Sequence, residues 1–299
     1  MALPPPPPPP AGLPANGPIG TLAHCYRHPN REAGRSCTRC GKSACSECLV
    51  RASVGSHCID CTKAARPDIK TRARYWNAGQ PALLTIILIG INLAVFGFVT
   101  LSDASSLGGR RGITLRQFEL GLNVAFLQDG RNEWYRLVTS GFLHFGVIHI
   151  ALNMWLLYQL GNLLERPLGR LRFGMLYGAA LFGGSFGVLI ENSGGIAGGA
   201  SGAVFGLMAA AAVSMHRQGI SIWRTGIGTT LLLNVVLTFT IPGISKGGHV
   251  GGAVAGAICG FIMLAPRWKA FPKWAAYATP TAVAAVSLIG SYVIATTGG

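Results

Sequence analysis

Two apolar segments of the chain each hold one polar side chain that could take part in chemistry. The first, GGASGAVFG at residues 198–206, contains Ser201, and the second, GGHVGGAVAG at residues 247–256, contains His249. A serine among glycines can simply be a small residue that lets two helices touch. It becomes a nucleophile when a base such as histidine lies within hydrogen-bond reach of its hydroxyl. The pair therefore predicts nucleophilic catalysis if the fold brings the two segments together.

A third apolar segment, GVIHIALNMW at residues 146–155, places His149 and Asn153 four residues apart. In a helix, this spacing puts both side chains on one face. Polar and ionisable groups inside a membrane-spanning helix are costly, so they are candidates for a functional role. His149 and Asn153 therefore join Ser201 and His249 as candidate site residues.

A cysteine-rich segment near the N-terminus predicts a metal site. Its ligands form four pairs with two intervening residues each, namely Cys25 with His28, Cys37 with Cys40, Cys45 with Cys48, and Cys58 with Cys61. Eight such ligands suit two tetrahedral zinc ions, and a short segment with little apolar content depends on metal to fold. Disulfides are the rival interpretation, and the two-residue spacing and a cytosolic location disfavour them.

The spacing between the pairs indicates which pairs bind the same ion. Only four residues separate Cys40 from Cys45, which favours a cross-braced arrangement with the first and third pairs on one ion and the second and fourth on the other. A sequential arrangement stays open, and His24 or His57 could replace one of the ligands.

The elements that must position these residues are membrane-spanning helices. The 299-residue chain is 50% hydrophobic and only 12% charged, with a mean hydropathy of +0.42, which is too apolar for a soluble protein. Apolar runs long enough to approach the span of a bilayer predict seven helices in an all-α polytopic membrane protein. They lie at residues 82–101, 146–164, 173–190, 200–215, 226–243, 249–265 and 275–295.

The net charge of +15 does not indicate nucleic-acid binding, because the basic residues lie in alternate loops between the spans. They precede the first span and follow the second, fourth and sixth, as at Lys70, Arg170, Arg217 and Lys269. This bias predicts a cytosolic N-terminus and an external C-terminus. The chain is expected to be a multi-pass protein of the plasma (cell inner) membrane. The loop at 102–145 carries further arginines and disagrees with the rule, which long loops obey poorly.

The composition divides the chain into four parts. Residues 1–20 form a Pro-rich tail, 21–62 the zinc-binding module, 63–80 a basic linker suited to anionic lipid headgroups, and 81–299 the membrane domain. With the N-terminus inside, spans two, four and six all begin at the same face of the membrane, where Asn153, Ser201 and His249 would meet. Spans four and six also carry ridges of small residues that permit close approach, at Gly202, Gly206, Ala210, Gly252, Gly256 and Gly260.

These motifs resemble those of rhomboid intramembrane serine proteases. The matching residues are Gly199-Ala200-Ser201-Gly202, His249 leading into Gly251-Gly252, the His149-x-x-x-Asn153 pair, and EWYRLVTSGFLH at 133–144. The resemblance implies a bundle of six core helices plus a seventh. It also implies hydrolysis of a peptide bond in or near the transmembrane helix of a protein substrate, within the lipid bilayer.

The resemblance also implies roles for individual residues. The oxyanion would be bound by the Asn153 amide, the His149 ring and the Ser201 backbone N–H, and Phe205 stands where many relatives have a tyrosine packed on the histidine. No Asp or Glu lies within the spans close to Ser201 and His249, so a catalytic dyad is expected rather than a triad. No cofactor is expected for catalysis.

The cysteine pattern resembles a B-box-type zinc finger. Such fingers are usually interaction modules, so this segment is expected to bind a cytosolic protein partner. The alternative to a protease is a catalytically silent membrane scaffold or transporter with this module as a docking head.

Overall fold

The structure is a computed structural model that describes residues 23–69, 71–72, 82–108, 112–128 and 130–297. The chain divides into two units, Met1–Trp76 and Asn77–Gly299. The predicted Pro-rich tail at 1–20, and residues 70 and 73–80 of the predicted basic linker, lie outside the described residues.

The first unit, called the cysteine-rich unit below, is built from three short antiparallel hairpins. β1 (His24–Cys25) pairs with β2 (His28–Glu32), β3 (Arg35–Ser36) with β4 (Ser43–Ala44), and β5 (Leu49–Arg51) with β6 (Ser56–Cys58), which runs into α1 (Ile59–Ala64). Its buried cluster consists of Ala44 and three cysteines, with only a few apolar side chains packed at its edge. Side-chain burial alone therefore gives this unit little stability.

The second unit, called the membrane unit below, is all-helical. In chain order its described α-helices are α2 (Leu83–Ser102), α3 (Leu115–Leu120), α4 (Arg136–Thr139), α5 (Val147–Leu168), α6 (Arg170–Glu191), α7 (Ser201–Arg217), α8 (Ile227–Thr240), α9 (Lys246–Met263) and α10 (Ala275–Thr297). Seven of these follow the seven predicted spans to within a few residues. The predicted all-α polytopic bundle is confirmed.

Four of the helices, α2, α5, α6 and α10, are long and apolar enough to cross a membrane. The other three that follow predicted spans, α7, α8 and α9, have 17, 14 and 18 residues. In α6, 61% of the most apolar window is buried, against 22% in α2 and α10. Helix α6 therefore lies at the centre of the bundle, while α2 and α10 lie at its periphery.

Buried charged side chains join the elements of the membrane unit. Glu165, near the end of α5, accepts hydrogen bonds from the backbone of Leu84 and Thr85 and from the Thr85 hydroxyl. It thereby caps the otherwise unpaired amides at the start of α2. Arg136 is buried, pairs with Glu133 and donates to the Gly121 carbonyl, which ties down the segment between α2 and α5.

That segment also makes hydrogen bonds to the backbone that leads into Ser201. Leu122 and Ala197 exchange backbone hydrogen bonds of 2.9 Å in both directions, and the Gly199 amide donates to the Ser140 carbonyl at 2.8 Å. The loop before α7 is therefore anchored on both sides, which fixes the position of the first residue of that helix.

Candidate functional site

A cavity of about 370 Å³ opens where α5, α7, α8 and α9 meet. Its walls are mainly apolar, and its polar lining includes His149, Asn153, Ser201, Thr238 and His249. All four residues predicted to form the site therefore share one cavity. Thr238 also lines it and was not among the predicted residues.

Ser201 and His249 lie within hydrogen-bond distance of each other. Ser201 is the first residue of α7, and its Oγ lies 2.8 Å from Nε2 of His249. Ser201 is partly accessible from the cavity, whereas the His249 side chain is buried. This places a hydroxyl and an imidazole in the arrangement of a nucleophile and its general base.

Glycines set the distance between the two helices that carry this pair. A methyl group on Gly252 would overlap the backbone of Gly202, and one on Gly256 would overlap the backbone of Gly206. Farther along, a methyl on Gly260 would lie 2.5 Å from Cα of Ala210. The two small-residue ridges therefore pack in register with each other. Larger side chains would separate Ser201 from His249.

Helix α6 contributes a second set of close contacts. A methyl on Gly187 would overlap the Gly247 carbonyl, and one on Gly251 would overlap the Gly183 carbonyl. Helix α9 is thus packed closely against α6 as well as α7. The ridge on α7 was predicted from the sequence, whereas the one on α6 was not.

The sixth predicted span begins earlier than expected. The sequence placed His249 as its first residue, whereas α9 begins at Lys246. The reason is a double cap: the Ser245 hydroxyl accepts from the Gly248 amide at 3.0 Å, and the Glu191 carboxylate accepts from Ser245 Oγ at 2.7 Å and from the Gly247 amide at 2.9 Å. Glu191, which ends α6, therefore stabilises the first turn of the helix that carries His249.

The His249 ring is held on two sides. Phe205, one turn after Ser201 on α7, stacks on it with ring centroids 4.1 Å apart and an interplanar angle of 17°. The second ring nitrogen, Nδ1, lies 2.7 Å from Oγ1 of Thr238 on α8. The packing role expected for Phe205 thus corresponds to an observed contact, and a polar contact supplements it.

His149 approaches the serine from α5. The Phe145 backbone N–H donates to His149 Nδ1 at 3.3 Å, so a neutral ring carries its proton on Nε2. A methyl built on Gly199 would lie 2.9 Å from that Nε2 and 3.4 Å from Ser201 Oγ. The Nε2 atom of His149 and the Ser201 hydroxyl therefore both lie beside Gly199. Gly199 itself has a φ of +140°, which favours glycine there.

Asn153 lies one turn further along α5 and is buried. Its amide donates one hydrogen bond, of 2.9 Å, to the backbone carbonyl of His149. An amide carries two N–H groups, so this bond leaves the second N–H of Asn153 for another acceptor in the cavity. The backbone N–H of Ser201 also has no acceptor within its own helix, as at any helix start.

In the cysteine-rich unit, the predicted metal ligands form two compact clusters. Within each cluster, the ligand atoms all lie within 4.8 Å of one another. One cluster contains Cys25, His28, Cys45 and Cys48, and the other contains Cys37, Cys40, Cys58 and Cys61. This is the cross-braced grouping of first with third pair and second with fourth. Among the described residues, neither cluster includes His24 or His57.

The chemistry of these clusters fits zinc. Three thiols with one imidazole, and four thiols, are both common donor sets of tetrahedral zinc sites. Burial opposes ionisation of Cys25, yet hydrogen bonds from the backbone at Cys45, Arg27 and His28 lower its pKa to about 6. Burial and the neighbouring thiols Cys25 and Cys45 raise the pKa of Cys48 to about 11. A divalent cation would supply the positive charge that lets the crowded thiols ionise together.

Comparisons with known proteins concern the membrane unit. Residues 131–266 match the family described as Rhomboid domain. The chain is 29% identical over 207 residues to Rhomboid protease GluP of Bacillus subtilis (strain 168), covering 68% of this chain and 39% of that protein. It is 35% identical over 149 residues to RHOMBOID-like protein 4 of Arabidopsis thaliana, covering 48% of this chain and 37% of that protein.

A third relative is Rhomboid-type serine protease 2 of Emericella nidulans, 27% identical over 143 residues, with 44% of this chain and 27% of that protein covered. The chain thus spans less than half the length of each of these three curated relatives. The matched residues contain the cavity, the helices that line it and the glycine contacts between α7 and α9. Taken with the apolar helices, this makes the chain an integral membrane protein whose membrane unit is similar to the rhomboid family over residues 131–266.

Proposed function

We propose that this protein is an intramembrane serine endopeptidase that hydrolyses a peptide bond in or near the membrane-spanning segment of a protein substrate. The observation that carries the proposal is the 2.8 Å contact between Ser201 Oγ and His249 Nε2 inside a cavity of the rhomboid domain. Two of the relatives are named as proteases, which supports the same activity.

In the proposed mechanism, Ser201 Oγ attacks the carbonyl carbon of the scissile bond while His249 Nε2 takes the hydroxyl proton. The tetrahedral intermediate collapses with cleavage of the C–N bond, and His249 returns the proton to the leaving amine. Water then attacks the acyl-serine ester with His249 again as the base, which releases the carboxylic acid and restores Ser201.

The negative charge on the oxygen of the intermediate requires hydrogen-bond donors that are already in place. We assign this role to the backbone N–H of Ser201, the Nε2–H of His149 and the side-chain amide of Asn153. The start of α7 adds the favourable end of a helix dipole. Removal of one such donor in other serine proteases raises the barrier by about 3–4 kcal/mol.

The cysteine-rich unit is proposed to bind two structural zinc ions. Cys25, His28, Cys45 and Cys48 would hold one ion, and Cys37, Cys40, Cys58 and Cys61 the other. When bound, the ions would cross-link the three hairpins and supply folding energy, with no part in peptide hydrolysis. The cross-braced grouping supports a B-box-type finger that serves protein interaction.

We also propose that the protein lies in the plasma membrane. The distribution of basic residues supports an orientation with the N-terminus in the cytosol and the C-terminus outside. Arg166, Arg170 and Arg172 cluster where α5 ends and α6 begins, and Arg217 ends α7 and is followed by Arg224. By the positive-inside rule these loops face the cytosol. Reaction of single engineered cysteines in these loops with a membrane-impermeant maleimide on intact cells would contradict this orientation.

The alternative, a catalytically silent scaffold or transporter, predicts no hydrolysis. We would reconstitute the purified protein in liposomes with single-span transmembrane proteins and compare the wild type with Ser201→Ala, His249→Ala and Ser214→Ala. Ser214 is a matched control because it is a buried serine of the same helix whose hydroxyl bonds to the Leu264 carbonyl. Cleavage should persist in Ser214→Ala and fall at least about 1,000-fold in the other two. Equal cleavage in Ser201→Ala would refute the proposed dyad.

A further inference from the structure

The Nδ1 atom of His249 has a partner on a different helix from the one that carries Ser201. Thr238 lies near the end of α8, and its Oγ1 is 2.7 Å from Nδ1. Both side chains are buried, with 2% of Thr238 and 9% of His249 exposed. Water competes little for a hydrogen bond between buried groups, so this bond constrains the ring strongly.

The position of the Thr238 proton follows from its second contact. Thr238 Oγ1 also lies 2.6 Å from the backbone carbonyl oxygen of Asn234, one turn earlier on α8. A carbonyl oxygen can only accept, and a hydroxyl has one proton, so the Thr238 proton points to Asn234. The hydroxyl then has only lone pairs to offer His249, and Nδ1 must be the donor.

This arrangement selects one tautomer of the imidazole. With the proton on Nδ1, the neutral ring has its lone pair on Nε2, which faces Ser201 Oγ at 2.8 Å. The opposite tautomer would place a proton between the ring and the serine, and the ring could not accept the serine proton. The chain of hydrogen bonds from the Asn234 carbonyl through Thr238 therefore prepares His249 as a base.

We propose that Thr238 is a positioning residue that holds His249 in the tautomer required for proton transfer from Ser201; this inference rests on the proposed protease function. The hydroxyl occupies the position at Nδ1 that a carboxylate holds in a Ser-His-Asp triad. Unlike a carboxylate, the Thr238 hydroxyl is neutral. It therefore orients the ring and accepts the hydrogen bond from Nδ1–H of His249 without a formal charge. The carboxylate at the end of α6, Glu191, instead accepts from Ser245 and Gly247 at the start of α9.

If Thr238 had a purely structural role, its hydroxyl would matter only for the hydrogen bond that it makes within its own helix. Helix α8 offers a matched control for that role, because Thr240 makes the same type of bond, from Oγ1 to the Val236 carbonyl at 2.8 Å, and is exposed. Thr240→Val removes an intrahelical hydroxyl bond from α8 without touching His249. Thr238→Val removes the hydroxyl that His249 uses and keeps the shape of the side chain.

The first test compares Thr238→Val, Thr238→Ser and Thr240→Val in the reconstituted cleavage assay. Loss of one buried hydrogen bond to a group that becomes charged should lower kcat about 10-fold to 100-fold in Thr238→Val, with KM changed less than about twofold because Thr238 orients the base rather than the substrate. Thr238→Ser, which restores a hydroxyl, and Thr240→Val should both stay within about threefold of the wild type. Full activity in folded Thr238→Val would overturn the proposal.

The second test does not depend on cleavage. The ring nitrogens of His249 would be observed by ¹⁵N NMR in full-length, histidine-labelled protein near pH 8, and assigned by comparison with His249→Gln. The wild type should show a protonated Nδ1 and an unprotonated Nε2, and Thr238→Val should show a mixture of tautomers. A wild-type ring with its proton on Nε2 would overturn the proposal even if cleavage is never detected or Thr238→Val fails to fold. A wild type that shows the expected tautomer but no Ser201-dependent cleavage would instead count against the proposed protease function.

Discussion

In the membrane unit, contacts between glycines of α7 and α9 bring Ser201 and His249 together. In the cysteine-rich unit, by contrast, hairpins with almost no apolar core bring the eight ligand residues together. The membrane unit has a large buried cluster that includes Leu157, Phe173, Leu176 and Leu207. The cysteine-rich unit buries mainly Ala44 and the cysteines themselves. The two units therefore rely on different sources of stability.

The difference indicates how each site should fail. The serine site depends on shape, because one added methyl group between α7 and α9 would overlap the backbone of the facing helix. The cysteine site depends on its ligands, because a thiol cluster without a cation lacks both a core and a charge balance. Steric changes between the helices should damage the serine site, and loss of metal should damage the cysteine site. Each change should have little effect on the other unit.

Loss of metal is the change with the largest expected effect on folding. Binding of structural zinc by small domains has an apparent free energy of roughly 10–16 kcal/mol per ion, so a strong chelator should unfold the cysteine-rich unit. We expect residues 23–69 to become rapidly cleaved by added trypsin while Ser201-dependent turnover on a substrate without a cytosolic tail continues. Loss of that turnover together with the metal would show that the two units are not independent.

The metal content sharpens the same prediction. Elemental analysis of fully loaded, reduced protein should return two zinc ions per chain, and Cys61→Ser should lower that number. Cys259→Ser is the matched control, since Cys259 is a buried cysteine of α9 outside both clusters. A content of zero or one zinc in the fully loaded wild type would contradict the eight-ligand assignment.

A single methyl group in the membrane unit should have the next largest effect. Gly252→Ala places a Cβ against the Gly202 backbone, which forces α9 away from α7 and lengthens the distance from Ser201 to His249. A displacement of about 1 Å at a catalytic pair can cost about 100-fold in rate, which the cleavage assay would measure as a fall in kcat.

Gly178→Ala provides the control for this change. It adds the same methyl to α6 at a position where nothing lies within 4 Å, so kcat should change less than about twofold. If Gly252→Ala retained the wild-type kcat, the glycine contacts would not be what sets the geometry of the site.

A smaller effect is expected from the ring beneath His249. Stacking between aromatic rings contributes about 0.5–1.5 kcal/mol beyond burial, so Phe205→Leu should lower kcat about threefold to tenfold. Phe205→Tyr keeps the ring and should remain closer to the wild type. The stacking argument would be wrong if Phe205→Leu were as active as the wild type and Phe205→Tyr were the slower of the two.

The smallest effect is expected from removal of residues 1–62, which contain both cysteine clusters. A chain that begins at Lys63 retains every residue that lines the cavity, so it should cleave a substrate lacking a cytosolic tail within about twofold of the wild-type rate. Selection of natural substrates can still change. A folded truncated protein with no turnover on that substrate would show that the cysteine-rich unit contributes to catalysis.

The sequence was informative wherever a single local pattern determines the outcome. Apolar runs predicted the positions of seven helices of the membrane unit to within a few residues, because the bilayer leaves helices as the main way to satisfy the backbone. The small residues at Gly202, Gly206 and Ala210, and those on the facing helix, predicted a contact that the structure shows in the same register. The two-residue spacing of the cysteines likewise predicted the pairs that make up each cluster.

The sequence was less informative where the contact joins different helices through polar side chains. Thr238 and Asn234 are four residues apart, a spacing that marks one helix face, yet the sequence does not show that this face meets His249 on α9. The capping role of Glu191 could not be predicted either, because its partners, Ser245 and Gly247, lie more than fifty residues away. The start of α9 was misplaced for the same reason, since this carboxylate helps to cap it.

The most direct test of the central claim, that Ser201 is a nucleophile activated by His249, is covalent labelling with a fluorophosphonate. The reagent should modify the full-length protein, peptide mass spectrometry should locate the adduct on Ser201, and labelling should be lost in Ser201→Ala, strongly reduced in His249→Ala and retained in Ser214→Ala. Absence of any adduct on Ser201 in folded wild-type protein, or equal labelling of Ser201 in His249→Ala, would contradict the account.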